Sequence, residues 1–193
     1  MKRKSKKGRR VLHTKEEYII TTETSVIFPY FNSCGMLLSM ILEGDQIKIV
    51  NSTPTEIIDF NLRRGGSSLK GAVDGANEIL GSGSLSPVAI SKKHGIYMTP
   101  TCSSKLPECT WMAIGHVKQY VENEEKQVTV ILNNGSRVDL PISFYRFDTR
   151  YLRACKLQYG IETNTDQVMK VREKYTQSYV IKKNGKGLNY SEE

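Results

Sequence analysis

The segment Val128–Leu140, VTVILNNGSRVDL, decides the fold. Val128, Val130 and Leu132 point one way while their neighbours point the other, and Val138 and Leu140 resume the alternation after Asn133-Asn134-Gly135. A period of two belongs to a half-buried strand. Asn-Gly tolerates positive φ angles, so the sequence predicts a hairpin closed by a type I′ turn, with Pro141 ending the pairing. Antiparallel strands therefore organise the chain.

Working upstream, Pro87–Ile90, Ile96–Thr99 and Trp111–Ile114 are expected as short apolar strands, and serine, lysine and proline keep Thr101–Glu108 out of the core as a loop. Nearer the amino terminus, Tyr18–Thr22 with Ser25–Tyr30, and Met36–Leu42 with Gln46–Val50 across Glu43-Gly44-Asp45, read as two antiparallel hairpins. Between these groups the signals become helical. Thr53 suits a cap, Pro54 the first helical position and Glu56 the reciprocal capping-box position, and Gly65 suits the end of a helix over Pro54–Arg64. A second helix over Ser68–Leu80 carries Leu69, Ala72 or Val73, Ala76 and Leu80 at helical intervals and is weakened by Gly71 and Gly75. Gly81-Ser82-Gly83-Ser84 is a connector.

Downstream of the hairpin, Ser143–Gln158 is helical, with Phe144, Phe147, Tyr151, Ala154 and Cys155 on one side and Arg146, Arg150, Arg153 and Lys156 on the other. Another helix is expected over Thr165–Tyr179, with a fraying end from Lys182. The expected class is α+β, mainly antiparallel β-hairpins with two to four helices. The expected division is a basic arm (1–15), a body (16–160) and a polar carboxyl-terminal helix and tail (161–193).

Charge is distributed unevenly. Of a net +8, the opening MKRKSKKGRR contributes +7 through Lys2, Arg3, Lys4, Lys6, Lys7, Arg9 and Arg10. Removing those seven from 28 lysines and arginines leaves 21 against 20 acids, close to neutrality. A run of like charge repels itself and cannot build a core, so it reads as an arm for a polyanion, above all nucleic acid. Its contribution would be counterion release, strongly salt-dependent and poor in sequence information. No apolar segment follows the arm as in a secretory signal, and the longest apolar stretch, Met36–Leu42, is far short of a bilayer span, so the expected location is cytoplasmic, with no membrane span.

Three groups of cations are candidates for DNA contact. They are the arm, the patch Arg63, Arg64 and Lys70 around Gly65-Gly66-Ser67-Ser68, and the face Arg146, Arg150, Arg153 and Lys156. The bland readings are a solvated tail or a membrane-surface patch for the arm, a capped helix junction for the second group and a solvated helix face for the third. Lys92-Lys93-His94-Gly95 reads as a turn facing water, and Trp111, Phe144 and Phe147 as core. Cys34, Cys102, Cys109 and Cys155 are scattered without a C-x-x-C pair and read as free thiols. Cys102 and Cys109 with His94 or His116 do not have the spacing of a zinc finger, so no metal or cofactor is expected. No G-x-S-x-G, H-E-x-x-H or phosphate loop appears, and an enzyme is not expected.

One further reading comes from whole-sequence likeness. PTCSSKLPECTW (100–111), HVKQY (116–120), the NNG turn and LPIS (140–143), with PTEIIDFNLRRGGSS (54–68) and Ser86-Pro87-Val88 to Tyr97 before them, resemble the ComK family of competence transcription factors in order and spacing. The resemblance implies an activator that binds A·T-rich double-stranded DNA largely through the minor groove, upstream of DNA-uptake genes. It also implies homodimers that pair as tetramers on DNA, RNA polymerase as a partner, and an adaptor for an ATP-dependent protease. MKRKSKKGRR has no counterpart in the family pattern, and Thr165–Glu193 departs from it, so activation and degradation signals are not assigned to residues. The alternatives are an RNA-binding or translation-associated module and a non-catalytic protein-interaction subunit.

Overall fold

A computed structural model describes residues 16–172, 179–181 and 190–192, with side chains over 16–167. The expectations for the arm lie outside the described residues. The chain divides into two compact units, Met1–Gln158 and Tyr159–Glu193.

The first unit is built on a six-stranded sheet. Strands β1 (Thr24–Phe31), β2 (Leu37–Glu43) and β3 (Gln46–Val50) run as consecutive hairpins. Helices α1 (Pro54–Arg64) and α2 (Leu69–Leu80) then carry the chain to the opposite edge. There β4 (Val88–Ser91), β5 (Ile96–Pro100) and β6 (Trp111–Ala113) return toward the centre, and β6 pairs antiparallel with β1. The order β3-β2-β1-β6-β5-β4 thus sets the first and last strands side by side. A short 3-10 turn, Ile114–His116, leads to a separate three-stranded antiparallel sheet of β7 (Val117–Glu122), β8 (Gln127–Leu132) and β9 (Arg137–Ser143).

Both faces of the large sheet are covered, which is why Val26 and Ile27, adjacent and oppositely directed, are each wholly buried. One face carries Ile27, Ile41, Met98 and Trp111 and packs on Ile57, Ile58 and Leu62 of α1. The other carries Val26 and Met112 and packs on Val128, Val130, Leu140 and Phe147. Two layers of core from a sheet of this size supply the apolar burial that holds so polar a chain together.

The cap of α1 forms as the sequence predicts. Thr53 Oγ1 accepts from Glu56 N at 3.3 Å and Glu56 Oε2 from Thr53 N at 3.0 Å, with Pro54 opening the helix. Helix α2 forms in full despite Gly71 and Gly75, because Ser68 caps it and Leu69, Ala72 and Val73 pack on the core.

Four expectations are corrected. Tyr18–Thr22 is not a strand: Asn61 of α1 donates from Nδ2 to Tyr18 O at 2.8 Å and accepts from Ile20 N at 2.9 Å, so a buried side chain takes the backbone groups a partner strand would have used. The turn at Asn133-Asn134-Gly135 is not type I′, since of these only Gly135 has positive φ, at 86°, and the bond from Gly135 N to Leu132 O closes a type I turn instead. Pro141 does not end the pairing, because β9 is an edge strand with a register shift opposite Gln127–Val128, where proline's missing N–H costs the ladder nothing. The two carboxyl-terminal helices are one, α3 (Phe144–Arg172), and Tyr179 belongs instead to β10 (Tyr179–Ile181), paired antiparallel with β11 (Tyr190–Glu192) in the second unit.

Candidate nucleic-acid interface

Helix α3 enters the first unit on an aromatic anchor. Tyr120 of β7 sits with its ring centroid 5.5 Å from Phe144, 5.0 Å from Phe147 and 5.3 Å from Tyr151. Its hydroxyl donates to Asp148 Oδ1 at 2.7 Å. Burial, followed by the Asp148 carboxylate, raises the Tyr120 phenol above its ordinary value, so it remains a donor. With Phe147, Ala154 and Leu157 turned inward, the rotation of the helix about its axis is set.

That rotation divides the four cations of the helix. Arg146 and Lys156 are exposed, whereas Arg150 and Arg153 are partly buried. Arg150 donates from Nη1 to the carbonyl of Thr101 at the end of β5, and burial holds its guanidinium below the ordinary arginine value. The Arg153 guanidinium lies so close to Gly83 that a methyl group there would stand 2.6 Å from Nη2, and its Nε and Nη2 are buried without a hydrogen-bond partner. Gly83 is thus the one connector position where a missing side chain admits the arginine. Arg150 also ties the helix to the loop carrying the exposed Lys105, which the sequence does not single out because the contact to Thr101 spans 49 residues.

The patch at the α1–α2 junction is assembled differently. Arg63 is exposed and its Nε donates to Asp59 Oδ2 at 2.6 Å, while the Arg64 guanidinium stands 5.8 Å from the Phe60 ring centroid. Lys70 is exposed on the first turn of α2. Two of the backbone N–H groups that could hold a phosphate are engaged within the protein, Leu69 N with Asp59 Oδ1 at 2.7 Å and Gly71 N with Ser68 Oγ at 3.1 Å. The bond from Leu69 N and then the Arg63 guanidinium hold the Asp59 carboxyl below the usual carboxylate range. A groove of about 640 Å³ beside the patch is lined by Glu16, Glu17, Glu56 and Asp59 as well as Arg63 and Lys70, so its field is mixed.

Other expected positions fall as follows. Lys92, Lys93 and His94 are exposed in the β4–β5 turn. Trp111 and Phe147 are core, the Trp111 indole N–H donating to Thr55 Oγ1 at 3.3 Å. His94 and His116 line a cavity of about 220 Å³ that no cysteine lines, and His116 Nε2 lies 2.8 Å from Thr22 O. Among the described residues no three histidines, cysteines or carboxylates come together as a metal site would require. Among the same residues no helix is long and apolar enough to cross a membrane.

Fold and site define an α+β protein of antiparallel sheets that presents part of a cationic helix face to solvent. The ComK protein family matches residues 15–166, and the chain belongs to that family. It is similar to the competence transcription factor of Bacillus subtilis (strain 168), with 29% identity over 160 residues covering 83% of each chain. No solved structure matches it.

Proposed function

We propose that the chain is a transcription activator of competence that binds A·T-rich double-stranded DNA, largely through the minor groove, upstream of DNA-uptake genes. The observation that carries the reading is the likeness to the Bacillus subtilis competence transcription factor across 83% of both chains. Physical chemistry is compatible. A narrow A-tract minor groove concentrates negative potential that attracts arginine, and the exposed Arg146 and Lys156 lie ten residues, or about 15 Å, apart along α3, a spacing suited to one phosphate backbone.

Arg63, Arg64 and Lys70 are a second contact, and Lys2, Arg3, Lys4, Lys6, Lys7, Arg9 and Arg10 add sequence-independent grip. Arg150, bonded to the Thr101 carbonyl, holds the helix in place beneath the contact. Copies associate as dimers that pair on two boxes, a reading supported by the edge strand β3, whose Ile47 and Ile49 are 64% and 48% exposed. RNA polymerase and a protease adaptor are further partners, and the protein works in the cytoplasm at the nucleoid.

The test is a titration onto an A·T-box duplex, a G·C duplex of equal length and an RNA hairpin across a salt series. Preference for the first that survives moderate salt, and survives removal of residues 1–10, is the expected result. Equal binding that vanishes with salt or with the arm would leave only a cationic tail and sink the reading.

A further inference from the structure

We propose that Cys102 and Cys109 are a redox modification site, a dithiol that closes to an intramolecular disulfide by exchange with low-molecular-weight disulfides. The geometry comes from the β5–β6 ladder. Its register runs Met98↔Ala113, Thr99↔Met112 and Pro100↔Trp111. Pairing then continues one rung beyond the strands, with Thr101 N donating to Thr110 O at 2.9 Å and Thr110 N to Thr101 Oγ1 at 3.0 Å. The next rung sets Cys102 opposite Cys109. Opposed residues of an antiparallel pair have Cα atoms about 4.5–5.5 Å apart, inside the span a disulfide accepts. The Cys109 thiol already reaches across the pair: its Sγ donates to Cys102 O at 3.4 Å.

The surroundings assign the roles. Cys109 is 1% exposed, and burial pushes its thiol up to about 12. Cys102 is only partly buried. Burial raises its thiol too, the Glu108 carboxylate adds to the rise, and the Arg150 guanidinium opposes it by favouring the thiolate. Cys102 is therefore the attacking group. Its thiolate attacks one sulfur of the small disulfide, the sulfur–sulfur bond breaks, and the first small thiol leaves with the electron pair and takes up a proton. Cys109, giving its proton to solvent, then attacks Cys102 Sγ and expels the second small thiol. Two protein thiols are oxidised and one small disulfide is reduced to two thiols. The product fastens the root of the 102–109 loop, which carries Lys105 and whose Ser104 carbonyl accepts from Thr55 Oγ1 at 3.0 Å.

Oxidised glutathione is the probe, with the full chain and with a Cys34→Ser/Cys155→Ser variant that leaves the pair untouched. The expected product has lost two thiols and about 2 Da, and regains both with dithiothreitol. Trypsin cuts at Lys105, so the peptides 94–105 and 106–118 should remain joined until reduction. Cys109→Ser should instead stop at a persistent glutathione adduct on Cys102. An adduct that persists in the unmodified pair, a bridge to Cys34 or Cys155, or two thiols that stay free would each overturn the proposal.

Discussion

Replacing Arg146 and Lys156 together by alanine isolates the contact that the proposed function assigns to α3. Both side chains are exposed, so their loss should leave the thermal midpoint within about a degree of the parent, as surface substitutions away from core, caps and networks do. Each phosphate contact gives a slope of about −0.9 in log K against log salt, and between 50 and 200 mM that is about 3.5-fold in affinity. Two contacts make about 12-fold, and the slope should become shallower by about 1.8. Arg150→Ala should behave differently. It strips the buried Thr101 carbonyl of its charged donor, so the larger effect is on stability, about 1–3 kcal/mol, measured by urea unfolding. Fluorescence anisotropy with an A·T-box duplex at four salt concentrations reads the slopes. A double variant that unfolds normally and keeps the parental slope would refute the assignment of α3 to the backbone.

Three other outcomes follow from the packing. Asn61→Ala should cost about 3 kcal/mol in urea unfolding, because it leaves the Ile20 N–H and the Tyr18 carbonyl without their partner in a buried site, and a loss below 1 kcal/mol would mean water replaces the staple. Asp59 has a depressed folded pKa, so its stabilisation is complete above its unfolded value near 4 and fades as pH falls through the folded value. Asp59→Asn should therefore be less stable than the parent at pH 7, with the difference closing toward pH 2, and an unchanged difference in acid melts would contradict the linkage. Tyr120→Phe keeps the aromatic contacts and loses the bond to Asp148, for an expected cost of about 1 kcal/mol by thermal unfolding with near-ultraviolet dichroism retained.

Local chemistry was legible in the sequence wherever the decisive contacts are close along the chain. Thr53, Pro54 and Glu56 specify the start of α1 because a capping box closes within four residues, and the alternation of Val128, Val130 and Leu132 specifies β8 because a strand with one face buried has period two. The same locality made the net charge and its concentration in residues 1–10 readable, and the order of quoted segments pointed to the family that the chain belongs to. What required the tertiary structure were pairings over long separations. Asn61 reaches back more than forty residues to remove Tyr18–Thr22 from the sheet, and β6 closes against β1 only after two helices have crossed. The cationic face of α3 looks uniform on a wheel, but Thr101 and Gly83, far away in sequence, decide that two of its arginines turn toward the protein. Side-chain spacing reports which residues share a face, whereas exposure depends on what other segments cover that face, and that is a property of the whole packed chain.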